Sequence, residues 1–207
     1  MEYLDYYDYE GNLLGSAPRD EVHRDGLWHN TVHCWLYDKS GNVFFQIRAD
    51  SKKLYTTASG HVLKGESVKT AFKREIKEEI GANIDVRFAR LINISVWQMD
   101  KERDGVVYYK DRAKAHVYAS LYRGKYDDFS FDNSEVLGLV LVKATDALAL
   151  FNGKKKSIPA QFLNDKDEKI ITSSGEVTTD DFLVLKDETA LSKYGNILEK
   201  IISFVKE

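Results

Sequence analysis

Apolar and polar residues alternate in short runs over most of this chain, and in three stretches the period lengthens to that of a helix. Tyr-rich alternation up to Tyr9 breaks at Glu10-Gly11-Asn12, resumes at Leu13-Leu14-Gly15 and is closed by Pro18. Residues 1–26 therefore read as a small hairpin and a linker. Trp28 to Tyr37 reads as a strand, Asp38 to Asn42 as a turn, and Val43 to Arg48 as the returning strand of a β-hairpin. Val86 to Met99 and Val106 to Tyr122 read as strands around a charged turn, Asp100 to Gly105. Tyr126 to Ser134 is an acidic polar loop, and the continuous apolar run Val136 to Val142 predicts a buried strand. Ala144 to Phe151 reads as a short helix, and residues 152–188 as loops with one hairpin around Ser174-Gly175. Thr189 to Lys206 predicts a closing amphipathic helix with Leu191, Tyr194, Leu198, Ile201, Ile202 and Val205 on one side.

The helical stretch that matters most comes after a glycine-rich loop starting at Gly60. Ser67 or Glu66 can cap it, no proline interrupts it, and Gly81 stands where a terminating glycine belongs. At about 100° per residue, Val68, Ala71 and Phe72 project to one side, and Glu75, Glu78 and Glu79 fall on that same side. Lys69, Lys73 and Lys77 run along the opposite face. A Glu-Lys-Glu-Glu run taken alone reads as a solvated helix paired with its own lysines. Acids sharing the inward stripe are different: like charges at this spacing cost roughly 0.2–0.5 kcal/mol per pair, and more when desolvated. A hard cation such as Mg2+, which prefers carboxylate oxygens, removes that cost.

Composition narrows the field. With 207 residues, 43% hydrophobic and 30% charged, the chain is of a length to fold as one globular domain, and it shows no repeat and no linker between domains. A net charge of −3 argues against nucleic-acid duplex binding, and Lys154-Lys155-Lys156 reads as loop charge. Cys34 is the only cysteine, so no intrachain disulfide forms. The acidic, aromatic start is unlike a signal peptide, and no apolar run approaches the ~20 residues of a membrane span. The expected location is cytoplasmic.

The loop and helix together resemble the signature of the Nudix hydrolases. Gly60, Glu66, Arg74, Glu75, Ile76, Glu78, Glu79 and Gly81 are all in register, and only the last aliphatic position departs, as Ala82. The seven fixed letters coincide by chance with a probability on the order of 10⁻⁸ per start site. The resemblance implies one α/β domain, an α/β/α sandwich around a mixed sheet. It divides into an N-terminal hairpin extension (1–26), a core (27–150), and a C-terminal extension with a closing helix (151–207). It also implies Mg2+- or Mn2+-dependent cleavage of a diphosphate linkage, in a nucleoside diphosphate joined to another group, by activated water. On this resemblance Glu75 and Glu79 bind metal directly, Glu78 completes or supports the site, and the Gly60 carbonyl adds a ligand. Arg74 orients a carboxylate, and the base stays open among Glu79, Glu66 and Glu135, with Glu135 ranked as second-site metal ligand or base. Homodimers are common among such relatives, and selectivity is expected in the loops at 99–112, 124–134 and 152–180.

The wider pattern is similar to the branch that contains isopentenyl diphosphate isomerase. Arg48 and Lys52 match its diphosphate-binding pair; by position alone they are equally two surface cations. His23, His29, His61 and Glu135 occupy places comparable to its metal ligands, and for the three histidines a second metal site and a structural role both stay open. His33 and His116 read as packed or surface residues. The isomerase needs a cysteine directly before its Gly-His pair, whereas this chain has Ala58-Ser59-Gly60-His61, and its Arg-Glu and Glu-Glu pairs are intact. Hydrolysis is the favoured reaction. Isomerase chemistry and a non-catalytic nucleotide sensor are the alternatives.

Overall fold

Turn chemistry fixes the first hairpin. The Asp8 carboxylate accepts from the backbone N–H groups of Gly11 and Asn12 at 2.8 and 2.7 Å, folding β1 (Tyr3–Tyr7) back onto β2 (Leu13–Pro18). The next element is a helix, α1 (Arg19–Asp25), in place of the expected linker. Pro18 directly precedes it, Asp20 and Glu21 lie in its first turn, and Gly26 ends it at a left-handed φ of 68°. The computed structural model describes residues 1–167, 169–183 and 188–207, the last stretch without side chains through 193. The expected loop positions 168 and 184–187, and the Leu191 side chain, lie outside the described residues.

The remaining strands are β3 (Trp28–Tyr37), β4 (Asn42–Arg48), β5 (Leu54–Tyr55), β6 (Ala58–His61), β7 (Arg90–Arg103), β8 (Val106–Leu121), β9 (Val136–Lys143), β10 (Ile158–Lys166) and β11 (Lys169–Val177). The described residues form one sheet of eleven strands, with the order β11-β10-β9-β4-β3-β1-β2 along its main path. β8 adds to β3 in parallel and β7 to β8 antiparallel, so the sheet is mixed. The hairpin expected of β3 and β4 is a hairpin only at its turn, because the strands pair at Tyr37 and Val43 alone. Beyond that point they part, and β6 takes the edge of β3 while β5 takes that of β4. This split matters for the site.

Strict alternation sorts the core into two layers. Val32, Cys34, Leu36 and Phe44 face α2 (Val68–Ile80), which contributes Ala71, Phe72, Ile76 and Ile80. Trp35, Phe45, Val140 and Val142 face α3 (Ala144–Phe151) and α4 (Glu188–Val205), which contribute Leu150, Leu198 and Ile201. The arrangement is the expected α/β/α sandwich with a closing C-terminal helix. The β10–β11 hairpin differs from expectation: Ser174 and Gly175 lie within β11, opposite Gln161 and Ala160, and the chain turns near Asp167 at φ 54°. No helix among the described residues is long and apolar enough to cross a membrane.

Candidate active site

The helix α2 is fixed at both ends. Ser67 Oγ accepts from the Thr70 N–H at 3.1 Å, and Gly81 closes the last turn at φ 70°. Its inward stripe carries Glu75 and Glu79 into the split between β3 and β4, where they are only 8% and 4% exposed. Glu79 accepts from the Ser59 N–H at 3.1 Å and from Gln46 Nε2 at 3.2 Å, both uncharged donors. Glu75 accepts from Arg74 at 2.8 Å, and a Cβ on Gly60 would collide with its carboxylate. Burial raises the Glu75 carboxyl to about 7 against the pull of Arg74, and raises Glu79 well above the ordinary carboxylate range.

Arg74 is the hub of the loop. It grips Glu66 through two parallel bonds of 3.0 and 2.9 Å, reaches Glu78 at 2.9 Å and the His61 carbonyl at 2.8 Å. Glu66 also accepts from the Leu63 N–H at 3.0 Å, so its carboxylate is occupied in holding the loop. The Glu78 side chain is 58% exposed and lies at the rim. One guanidinium thus serves three carboxylates, and Glu79 makes no ion pair among the described residues. Hard oxygen donors crowded in this way fit Mg2+ or Mn2+.

The carboxylates open onto a cavity of about 740 Å³ whose wall includes Arg48 and Glu135. Arg48 pairs with Asp50 at 3.0 and 2.8 Å and lies 5.6 Å from the centre of the Tyr55 ring. Lys52, expected beside it, is not part of the wall: its backbone is left-handed at φ 59°, and its ammonium donates to the Ala49 carbonyl at 2.8 Å. Among the described residues of the loops expected to set selectivity, 99–112 reaches the cavity through Met99, Lys101, Tyr109 and Asp111, 124–134 only through Ser134, and 152–180 not at all. In their place stand His33, Trp35 and Tyr55, residues that the sequence pattern assigned to strand packing or passed over.

The three histidines cluster beside this cavity, which His61 lines. Candidate ligand atoms of His23, His29 and His61 all lie within 4.8 Å of one another, with 3.3 Å between the Nε2 atoms of His23 and His61. Backbone carbonyls of Arg19 and Leu27 engage Nδ1 of His23 and His29 at 2.8 and 3.0 Å, which leaves each Nε2 for the shared space. Burial lowers all three imidazoles, His61 to about 2, which favours their neutral forms at ordinary pH. Asp111, on the inward face of β8, stands 3.5 Å from His29 Nε2, and both atoms are buried without a hydrogen bond. Sequence reading missed Asp111; an acid breaking the inward series Tyr109, Ala113, Ala115 was the available signal. Glu135, which the resemblance to the isomerase branch groups with these histidines, lines the cavity with Glu75 and Glu79, both of whose carboxyls its charge helps to raise.

Comparison with known proteins points the same way. A family model for the NUDIX domain matches residues 27–162. The chain is 31% identical to an uncharacterized Nudix hydrolase of Clostridium acetobutylicum, over 88% of this chain and 90% of that protein. It is 30% identical to an isopentenyl-diphosphate Delta-isomerase of Serratia proteamaculans, over 60% of this chain and 68% of that one. Among solved structures, a Deinococcus radiodurans protein superposes with a TM-score of 0.54 at 19% identity, covering 74% of this chain and 90% of that one.

Proposed function

The chain belongs to the Nudix hydrolase family, and on that premise we propose that it cleaves a diphosphate linkage. The substrate is a nucleoside diphosphate joined to another group, or a related organic diphosphate, and the cofactor is Mg2+ or Mn2+. The observation that carries this reading is the burial of Glu75 and Glu79 side by side against the cavity, Glu75 sharing the Arg74 guanidinium with Glu66 and Glu78, and Glu79 held by uncharged donors. Glu75, Glu79 and the Gly60 carbonyl would hold the metal, with Glu78 at the rim. Mg2+ bound there supplies neutralising charge for phosphate oxygens and Lewis acidity towards water.

This chain's own residues do the rest. Arg74 and Glu66 lock the loop so that Glu75 stays against Gly60. Arg48 leaves Asp50 to hold the non-reacting phosphate. Glu135, an exposed carboxylate on the cavity wall, receives the proton of the attacking water. A second ion suits the histidine end, where three imidazoles and Asp111 form a donor set of the kind transition metals take. That end is what the resemblance to isomerases would bring. Isomerisation lacks its thiol, because Ser59 precedes Gly60 and Cys34 is fully buried between β3 and α2 against the Phe72 carbonyl.

The test is a panel of nucleoside diphosphate conjugates with Mg2+ and Mn2+, scored for release of a nucleoside monophosphate or phosphate. Glu79→Gln should lower kcat at least ~100-fold. Equal turnover by variant and wild type overturns the assignment, and nucleotide binding without turnover by the wild type favours a sensor.

A further inference from the structure

Alternation along β4 sends Phe45 to the α3–α4 layer and Phe44 to the layer beneath α2. The next residue on the α2 face is polar: Gln46, only 2% exposed, whose Nε2 donates to Glu79 Oε2 at 3.2 Å. The strand under it is braced on both edges, since Gln46 stands opposite Tyr55 of β5 and Leu139 of β9. The register with β9 shifts only past it, between Gln46 and Arg48. A second donor reaches Glu79 from the other lip of the split between β3 and β4. Ser59, on β6, gives its backbone N–H to Glu79 Oε1 at 3.1 Å.

Each oxygen of Glu79 thus accepts one bond from a neutral group. A carboxylate has about four lone-pair sites, so this arrangement fixes its plane and leaves room for a cation. Glu66, Glu75 and Glu78 are treated differently, because all three share the Arg74 guanidinium. A lysine or arginine at position 46 would give Glu79 the same kind of partner, and the ion pair would stand where a metal has to bind. An apolar residue would suit the layer around Phe44 but would leave Oε2 without a donor. Glutamine supplies direction without charge, from a position 33 residues away in the chain.

We propose that Gln46 is a positioning residue for the metal, a neutral clamp that works with the Ser59 N–H to hold the Glu79 carboxylate in place while leaving its charge for the ion. The proposal rests on the reading that Glu79 binds Mg2+. It extends the loop-and-helix signature by a strand residue that touches neither substrate nor reacting water.

Isothermal calorimetry with Mg2+ on the metal-stripped full chain tests it. Gln46→Leu keeps the bulk and loses the donor, and it should weaken Mg2+ binding about 10-fold; Gln46→Met makes the same comparison should the leucine variant not fold. In turnover of a nucleoside diphosphate sugar, the Mg2+ concentration for half-maximal rate should rise by a similar factor, and kcat at saturating Mg2+ should fall less than the affinity does. A merely structural role would lower Tm and kcat and leave the Mg2+ affinity of the folded protein where it was. That result overturns the proposal, as does failure of both variants to fold. Wild type that binds no Mg2+ removes the metal reading, and Gln46 with it, whereas variants that bind as tightly as a Mg2+-binding wild type remove the role of Gln46 alone. Weakened binding in Gln46→Leu upholds the clamp even if no diphosphate is cleaved, in which case the hydrolase reading falls by itself.

Discussion

Gly60 acts through space. Its φ is not positive, so no backbone strain calls for glycine; what calls for it is the Glu75 carboxylate lying where a Cβ would be. That carboxylate is tied to Arg74, which is itself tied to Glu66, so it has little room to retreat. Gly60→Ala should therefore weaken Mg2+ binding and lower hydrolysis about 10- to 100-fold, with a loss of stability of about 1–3 kcal/mol from the displaced hydrogen bond. Isothermal calorimetry with Mg2+ checks it, and an unchanged affinity would show that Glu75 does not need this position. Glycine and carboxylates were legible in the sequence because their spacing is local. The Arg74–Glu66 clasp is a loop geometry that spacing alone does not reveal. His33 and Trp35 were invisible as site residues for another reason. Alternation tells which residues share a face of a strand, but not whether a helix covers that face.

The best-read element is α2, because everything that defines it lies within fifteen residues: cap, apolar stripe and terminating glycine. Its N-cap makes a clean test. Ser67→Ala removes the bond to the Thr70 N–H and should cost about 1 kcal/mol, lowering Tm by roughly 2–4 °C, while leaving the fold spectrum by circular dichroism unchanged. A shift under half a degree would mean that Thr70 or water replaces the cap. Elements that depend on distant partners were read less well. Pro18 closes the hairpin as expected, being the last residue of β2 and paired with Tyr3, but it also stands at the entrance to α1, which the pattern did not reveal, and α1 is what delivers His23 to the other histidines. The divergence of β3 from β4 was likewise beyond sequence, since short β5 and β6 compete for their edges. A turn at Ser174-Gly175 was suggested by composition, but the ladder with β10 runs straight through it, and Gly175 instead makes room for the Phe162 ring.

At the scale of the whole molecule, the cavity exists because α3 and α4 cover only part of one sheet face. Trp35 and Val117 meet Tyr194 and Ile197 of α4, while further along the same strands Ala113, Ala115 and Thr31 are left to line the cavity. Residues from β3, β5, β7, β8 and α4 converge there from sequence separations of more than a hundred positions, which is why the site's acids were legible and its walls were not. The arrangement has a consequence for acid stability. His33 is held neutral inside the folded protein, lowered by burial from its ordinary 6.5 to about 4, with the Tyr55 hydroxyl and the Arg48 guanidinium beyond it as neighbours. In the unfolded chain it takes up a proton below about 6.5. The unfolded state therefore binds more protons through this window, and the stability associated with neutral His33 is present above pH 6.5 and lost as pH falls towards 4. Water in the cavity moderates the cost, so the loss attributable to this residue should be about 1–2 kcal/mol. Urea unfolding of wild type and His33→Gln at pH 7 and pH 4.5, in the same buffer without added metal, isolates it: the wild type should lose more between the two values than the variant does. Parallel losses would mean that the imidazole is already hydrated and free to charge in the fold.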